Sequence, residues 1–77
     1  MSPTAEKVRA ILAAQLDIDE DKITKDTNIA EELGADSLDL VELMMSVEEE
    51  FDVTIEEDKV QSFKTVADVA AYIDNLS

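Results

Sequence analysis

Apolar residues fall at helical spacing over most of the chain and nowhere alternate as a half-buried strand does. Val8, Ile11, Leu12 and Leu16 stand at i, i+3, i+4 and i+8, one face of a helix. Ser2 is placed to cap that helix and Pro3 to open it, where its missing N–H costs nothing, so the pattern predicts a first helix over Pro3–Leu16. The period dissolves over residues 17–28, where Ile18 and Ile23 are expected to pin a polar loop to the core. Ile29–Leu33 then makes a short helical turn stopped by Gly34, the chain's only glycine, which can take the left-handed conformation because it has no β-carbon. Asp36 or Ser37 can cap a second long helix, Ser37–Phe51, whose Leu40, Leu43, Met44, Val47 and Phe51 share a face. Residues 52–61 predict a loop and a short third helix that Thr54 could cap, with Ile55 and Val60 as apolar contacts. After Phe63, Thr65 and Asp68 resemble a capping box with Asp in place of Glu. Val66, Val69, Ala70, Ile73 and Leu76 line the inner face of a last helix, with Tyr72 on its flank.

These elements sum to an all-α fold, a four-helix bundle of three longer helices and one short one, in up-and-down order. The expected core is Val8, Leu12, Leu16, Leu43, Met44, Val47, Phe51, Ile55, Phe63, Val69 and Ile73. Seventy-seven residues leave room for one domain, 1–77, with a single modest core.

The second long helix carries more apolar surface than a core needs. Leu38, Val41 and Met45 fall together on another face, bordered by Glu42, Glu48 and Glu49. Either a loop covers that stripe inside the domain, or it is a protein interface with an acidic rim.

Charge narrows the partners. Twenty acidic and six basic side chains give a net charge of −14, which repels nucleic acid and anionic membrane surfaces and favours basic protein surfaces, unless it serves solubility alone. No run approaches the roughly 20 apolar residues of a membrane helix and no signal-peptide pattern opens the chain, so a cytoplasmic, monomeric protein is expected. Cysteine and histidine are both absent. That removes disulfides, thiolate metal sites, a cysteine nucleophile and the usual base for an activated serine, and the chain is read as a non-enzyme. Asp17, Asp19 and Asp21 have the spacing of the first calcium ligands in an EF-hand loop, but Lys22 stands where the turn needs glycine and Asn28 where a bidentate glutamate is required. No specific metal site is expected.

Ser37 stands out for chemistry. At the start of a helix, free backbone N–H groups favour an anion, so a phosphate ester on its hydroxyl would meet a favourable field. The same residues also serve as an ordinary cap. Gly34-Ala35-Asp36-Ser37-Leu38 resembles the Asp-Ser-Leu motif of acyl carrier proteins, in which the serine bears a 4'-phosphopantetheine arm derived from coenzyme A. Residues 31–51, including Val41-Glu42-Leu43 and Glu48-Glu49-Glu50-Phe51, resemble the members of bacterial fatty acid synthesis, and the likeness covers nearly the whole chain.

The resemblance implies a carrier of growing acyl chains, held as thioesters on the arm at Ser37 with Asp36 and Leu38 flanking it. It implies partners with basic patches: a holo-carrier synthase, acyltransferases, ketoacyl synthases, reductases and dehydratases. Asp36, Asp39, Glu42, Glu48, Glu49 and Glu57 match acidic positions that such carriers present to them, and the apolar stripe of Leu38, Val41 and Met45 is expected to join them in the partner face. It further implies an acyl pocket lined by Met44, Val47, Ile55, Val60, Phe63 and Val69, with Phe63 bulkier than the aliphatic residue expected there. Two other functions fit the same residues: a polyketide or aminoacyl carrier with the same arm, or an unmodified acidic module that binds a basic partner through Leu38, Val41 and Met45.

Overall fold

Local chemistry sets the ends of each helix in the computed structural model, which describes residues 1–76. The Ser2 hydroxyl accepts the Ala5 N–H at 3.1 Å and Pro3 opens α1, Pro3–Leu16. Asp17 ends it at a φ of 55°, and the Ile18 N–H closes back on the Ala13 carbonyl at 3.0 Å. A 3₁₀ turn, Glu20–Lys22, follows, with the Asp19 carboxylate accepting the Asp21 N–H at 3.0 Å. That carboxylate of the calcium-like triplet is thus engaged by the backbone, and among the described residues no group of acidic side chains is arranged to hold a metal ion.

Asn28 caps α2, Ile29–Leu33, and Gly34 ends it at a φ of 72°. Then come α3, Ser37–Phe51, α4, Glu57–Val60, and α5, Val66–Leu76. The bundle is therefore three long helices with two short ones, the turn at Ile29–Leu33 being a full helical element in its own right. At the start of α5, Thr65 and Asp68 form the reciprocal box that their spacing predicts: the Thr65 hydroxyl accepts the Asp68 N–H at 3.2 Å and the Asp68 carboxylate accepts the Thr65 N–H at 3.1 Å. Thr54 does not cap α4. That helix begins two residues later than Thr54 could serve, after Glu56, and has no side-chain cap.

One cluster of buried side chains joins all five helices, and α1 packs against both α5 and α3. Val8, Leu12, Leu43, Val47, Val66 and Val69 are fully buried, as are the loop anchor Ile23 and the α2 residue Ile29. Alanines do more than the apolar pattern alone shows: Ala5, Ala13 and Ala70 are buried, and small side chains let helices approach closely. Leu16 and Phe51 are only half-buried because each occupies the last turn of its helix. Leu76 departs from the expected face. It ends α5 beyond the reach of the core and is exposed. No helix of the described residues is long and apolar enough to cross a membrane.

Candidate functional site

Ile29 organises the region around Ser37. Its N–H donates to the Lys64 carbonyl at 2.8 Å, and its own carbonyl accepts the N–H groups of Gly34 and Ala35. Its side chain is wholly buried. The start of α3 and the segment leading into α5 are thus fixed to one buried residue.

Asp36, not Ser37, caps α3. Its carboxylate accepts the Asp39 N–H at 3.0 Å, and the Asp39 carboxylate accepts the Asp36 N–H at 3.2 Å, a capping box built from two aspartates. Ser37 is left as the first helical residue, exposed, with its hydroxyl making no hydrogen bond among the described residues. A side chain spared from capping is available as an acceptor of chemistry. Both carboxylates of the box lie at the positive end of the helix, so the field at Ser37 is more negative than a bare helix start would give.

The second stripe of α3 is uncovered. Leu38 is 68% exposed, Met45 62% and Val41 43%, while Leu40, Leu43, Met44 and Val47 on the other face are buried. No loop wraps the stripe, which settles the choice between cover and open surface. Glu42 and Glu49 beside it are exposed. Glu48 is engaged elsewhere: half-buried, it accepts the Ile55 N–H at 2.8 Å across the α3–α4 connection. It therefore has a structural duty that its place in an acidic run does not reveal. Glu57, in the first turn of α4, is exposed at the far side of the same surface.

Two grooves flank α3, and Ser37 lines one of them. One, of about 450 Å³, lies between the starts of α2 and α3 and the α4–α5 connection, and Ser37, Leu40, Gln61, Phe63 and Lys64 are among its walls. The other, of about 440 Å³, lies between α3 and α4 and is walled by Val41, Met44, Met45, Ile55, Val60 and Gln61, with Glu48 and Glu57 at its polar margin. Gln61 belongs to both. Of the six residues expected to line an acyl pocket, Met44, Ile55 and Val60 line this second groove. Phe63 lines the first groove instead, its ring edge-on to Tyr72 at 5.3 Å. Val47 and Val69 line neither groove, because both are fully buried in the packed centre of the bundle. Sequence reasoning missed Gln61, and it carried no periodic signal by which to find it.

Comparison with known proteins gives a consistent outcome. Residues 6–73 match the family described as "Phosphopantetheine attachment site". The chain is 48% identical over 71 residues to the acyl carrier protein of Akkermansia muciniphila, covering 92% of this chain and 89% of that protein. Among solved structures, it is similar to a candidate acyl carrier protein from Mycobacterium tuberculosis, with a TM-score of 0.87 and 32% identity over 96% of this chain and 99% of that one. It is also similar to the acyl carrier protein of Enterococcus faecalis, with a TM-score of 0.81 and 31% identity over 96% and 94% of the two chains.

Proposed function

Because the chain belongs to the phosphopantetheine-attachment family and, within it, to the acyl carrier proteins, we propose that Ser37 is its attachment residue and that it carries acyl chains between the enzymes of fatty acid synthesis. The observation that carries this reading is the exposed Ser37 hydroxyl, unbonded at the first position of α3 because Asp36 and Asp39 cap the helix between themselves. In the loading step the Ser37 oxygen bonds to phosphorus as the pyrophosphate link of coenzyme A breaks, and adenosine 3',5'-bisphosphate leaves. The hydroxyl proton passes to a base on the transferase, because the carboxylates nearest Ser37, Asp36 and Asp39, are engaged in capping α3. When bound, the arm supplies a thiol on which an acyl group is carried as a thioester. The chain's own part is to present, to shelter and to be recognised. A tethered substrate reaches a high effective concentration at each partner without tight binding.

Recognition rests on Leu38, Val41 and Met45, with Asp36, Asp39, Glu42, Glu49 and Glu57 steering basic surfaces toward them. Glu48 contributes by holding the α3–α4 connection. The groove walled by Met44, Ile55 and Val60 shelters short apolar chains, and methionine suits a wall that must yield. The partners in this reading are the synthase that loads Ser37 and the acyltransferases, ketoacyl synthases, reductases and dehydratases of the pathway. The whole chain acts as one carrier domain.

Intact mass tests the attachment: incubation with coenzyme A, magnesium and a broad-specificity phosphopantetheinyl transferase should add one phosphopantetheine to the native chain and none to Ser37→Ala. An unmodified native chain with several transferases would reduce Ser37 to a helix residue. For the partner face, Glu42→Lys or Glu49→Lys should slow transfer by a ketoacyl synthase, and added salt should slow the native carrier as well. Transfer rates indifferent to both would leave the acidic face as a solubility feature.

A further inference from the structure

The groove at Ser37 contains one base in acidic surroundings. Its walls include Glu31 and Asp36 as well as Lys64, and Lys64 is the one basic residue lining either groove. A phosphodiester on Ser37 would add negative charge beside the Asp36–Asp39 box, where the helix field is already taken up by two carboxylates. Something must offset that charge if the arm is to lie against the protein rather than be driven into solvent.

Lys64 is placed to do so. Its carbonyl accepts the Ile29 N–H at 2.8 Å and its N–H donates to the Asp68 carboxylate at 2.9 Å, so its backbone is held from both sides. The carbonyl of that same Ile29 holds Ala35, two residues before Ser37. The Lys64 side chain, by contrast, is committed to nothing: it is exposed and makes no ion pair among the described residues. The rest of the groove suits an amide-bearing, partly apolar chain, with Leu40 and Phe63 as apolar walls and the Gln61 amide at the junction with the second groove. Its volume of about 450 Å³ lies within the range of small-molecule sites.

We propose that the Lys64 ammonium pairs with the phosphodiester of the arm on Ser37 and seats the first part of the arm in this groove, directing the remainder past Gln61 toward the groove between α3 and α4. The inference rests on the reading of Ser37 as the attachment residue. Lys64 is a positioning residue and takes no part in bond making.

The test compares the apo and loaded forms of the native chain, Lys64→Gln and Lys64→Arg, with loading verified by intact mass. Amide shifts at Asn28, Gln61 and Phe63 report seating of the arm, and the ³¹P resonance reports the ion pair. Loading should shift these signals in the native chain and in Lys64→Arg. In Lys64→Gln, loaded to the same extent, the seated fraction should fall about two- to fivefold, the range of an exposed ion pair. Raising salt should lower it in the native chain and should not lower it in the Lys64→Gln form, where only repulsion from the Asp36–Asp39 box is left to screen. Loaded Lys64→Gln with native shifts and native salt dependence would overturn the role of Lys64 while leaving attachment intact. Failure of the native chain to load would overturn the attachment reading and this inference with it.

Discussion

Where α3 faces α1 and α5, the core side chains are sealed: Val8, Val47, Val66 and Val69 have no exposed surface and Leu12 has 1%, and the wide groove of about 760 Å³ between α1 and α3 stays on the surface, walled by Ile11, Gln15, Met45 and Glu49. Around α4 the packing is looser, with Ile55, Val60 and Phe63 each at 7% and grooves of about 440 and 450 Å³ alongside. The difference begins in helix length and capping. The helices α1 and α5 run 14 and 11 residues from well-made caps, whereas α4 is four residues long with no side-chain cap. A four-residue helix cannot sustain itself by its own hydrogen bonds, so its place depends on a few contacts from elsewhere. The groove proposed to shelter an acyl chain thus lies on the side held by the fewest contacts, and the sealed side is left to hold the fold.

Paired truncations offer the largest test. Leu12→Ala removes a fully buried side chain from the sealed side and should cost about 2–5 kcal/mol, lowering Tm by about 10 °C or more for a domain of this size. Val60→Ala, on the open side, should cost about 1 kcal/mol, because fewer methyl groups are lost and the site can relax. Urea denaturation of both variants checks the ratio. Equal losses would mean that α4 is packed as firmly as α1, and the contrast would fail.

Glu48 comes next in size. Its carboxylate satisfies the part-buried Ile55 N–H at 2.8 Å and so tethers the loose side to the firm one. Glu48→Ala should cost about 1–2 kcal/mol and speed hydrogen exchange at Ile55 and through α4, while α1 and α5 amides keep their relative protection. Glu48→Gln, which retains an acceptor, should recover much of the loss. Uniform acceleration across the chain would show that α4 opens only with the whole bundle.

Gly34→Ala should cost about 1 kcal/mol through the backbone alone, because Gly34 sits at a φ of 72° with nothing within 4 Å of where a methyl group would stand. Gly34→Asn, which tolerates that conformation better, should cost less. Midpoints of urea unfolding at constant slope would measure both. A cost well above this in Gly34→Ala would mean that the turn before Ser37 has no room to adjust.

The long helices and their inner faces were legible because spacing and caps agree: Ser2 and Pro3, the Thr65–Asp68 pair and the single glycine mark their boundaries in residue type alone. The exposed stripe of Leu38, Val41 and Met45 was legible for the same reason, as apolar residues at helical spacing on the wrong face for the core. Other features carried no such signal. Asp17 and Asp52 end α1 and α3 at φ values of 55° and 54°, a left-handed role that short polar side chains tolerate but that reads in sequence as one more solvated acid. The duty of Glu48 depends on a partner seven residues away in a loop, and Asp36 rather than Ser37 became the cap because Asp39 could return the hydrogen bond. Groove walls depend on how helices sit against one another, so Val47 and Val69 fell outside the grooves and Gln61 joined both.

Charge gives the smallest effect and tests the comparison from outside. Twenty acids against six bases leave a net charge of −14, and among the described residues the ion pair between Lys7 and Glu50 spans 3.9 Å with both side chains more than half exposed. Such a pair contributes little, so the acids repel one another with little local relief. They crowd along α3, where Glu42, Glu48, Glu49 and Glu50 follow within three turns, more than on α1, where Glu6 stands alone. Raising salt from about 0.01 M to about 0.15 M shortens the screening length from about 30 Å to about 8 Å and should raise Tm by a few degrees. Glu49→Gln should raise Tm at low salt and reduce the response to added salt. Glu6→Gln should not, because Glu6 lies in the first turn of α1, where the helix dipole favours its charge. If the two variants responded alike, the repulsion would belong to the molecule as a whole, and the open side would owe its looseness to short helices and sparse packing alone.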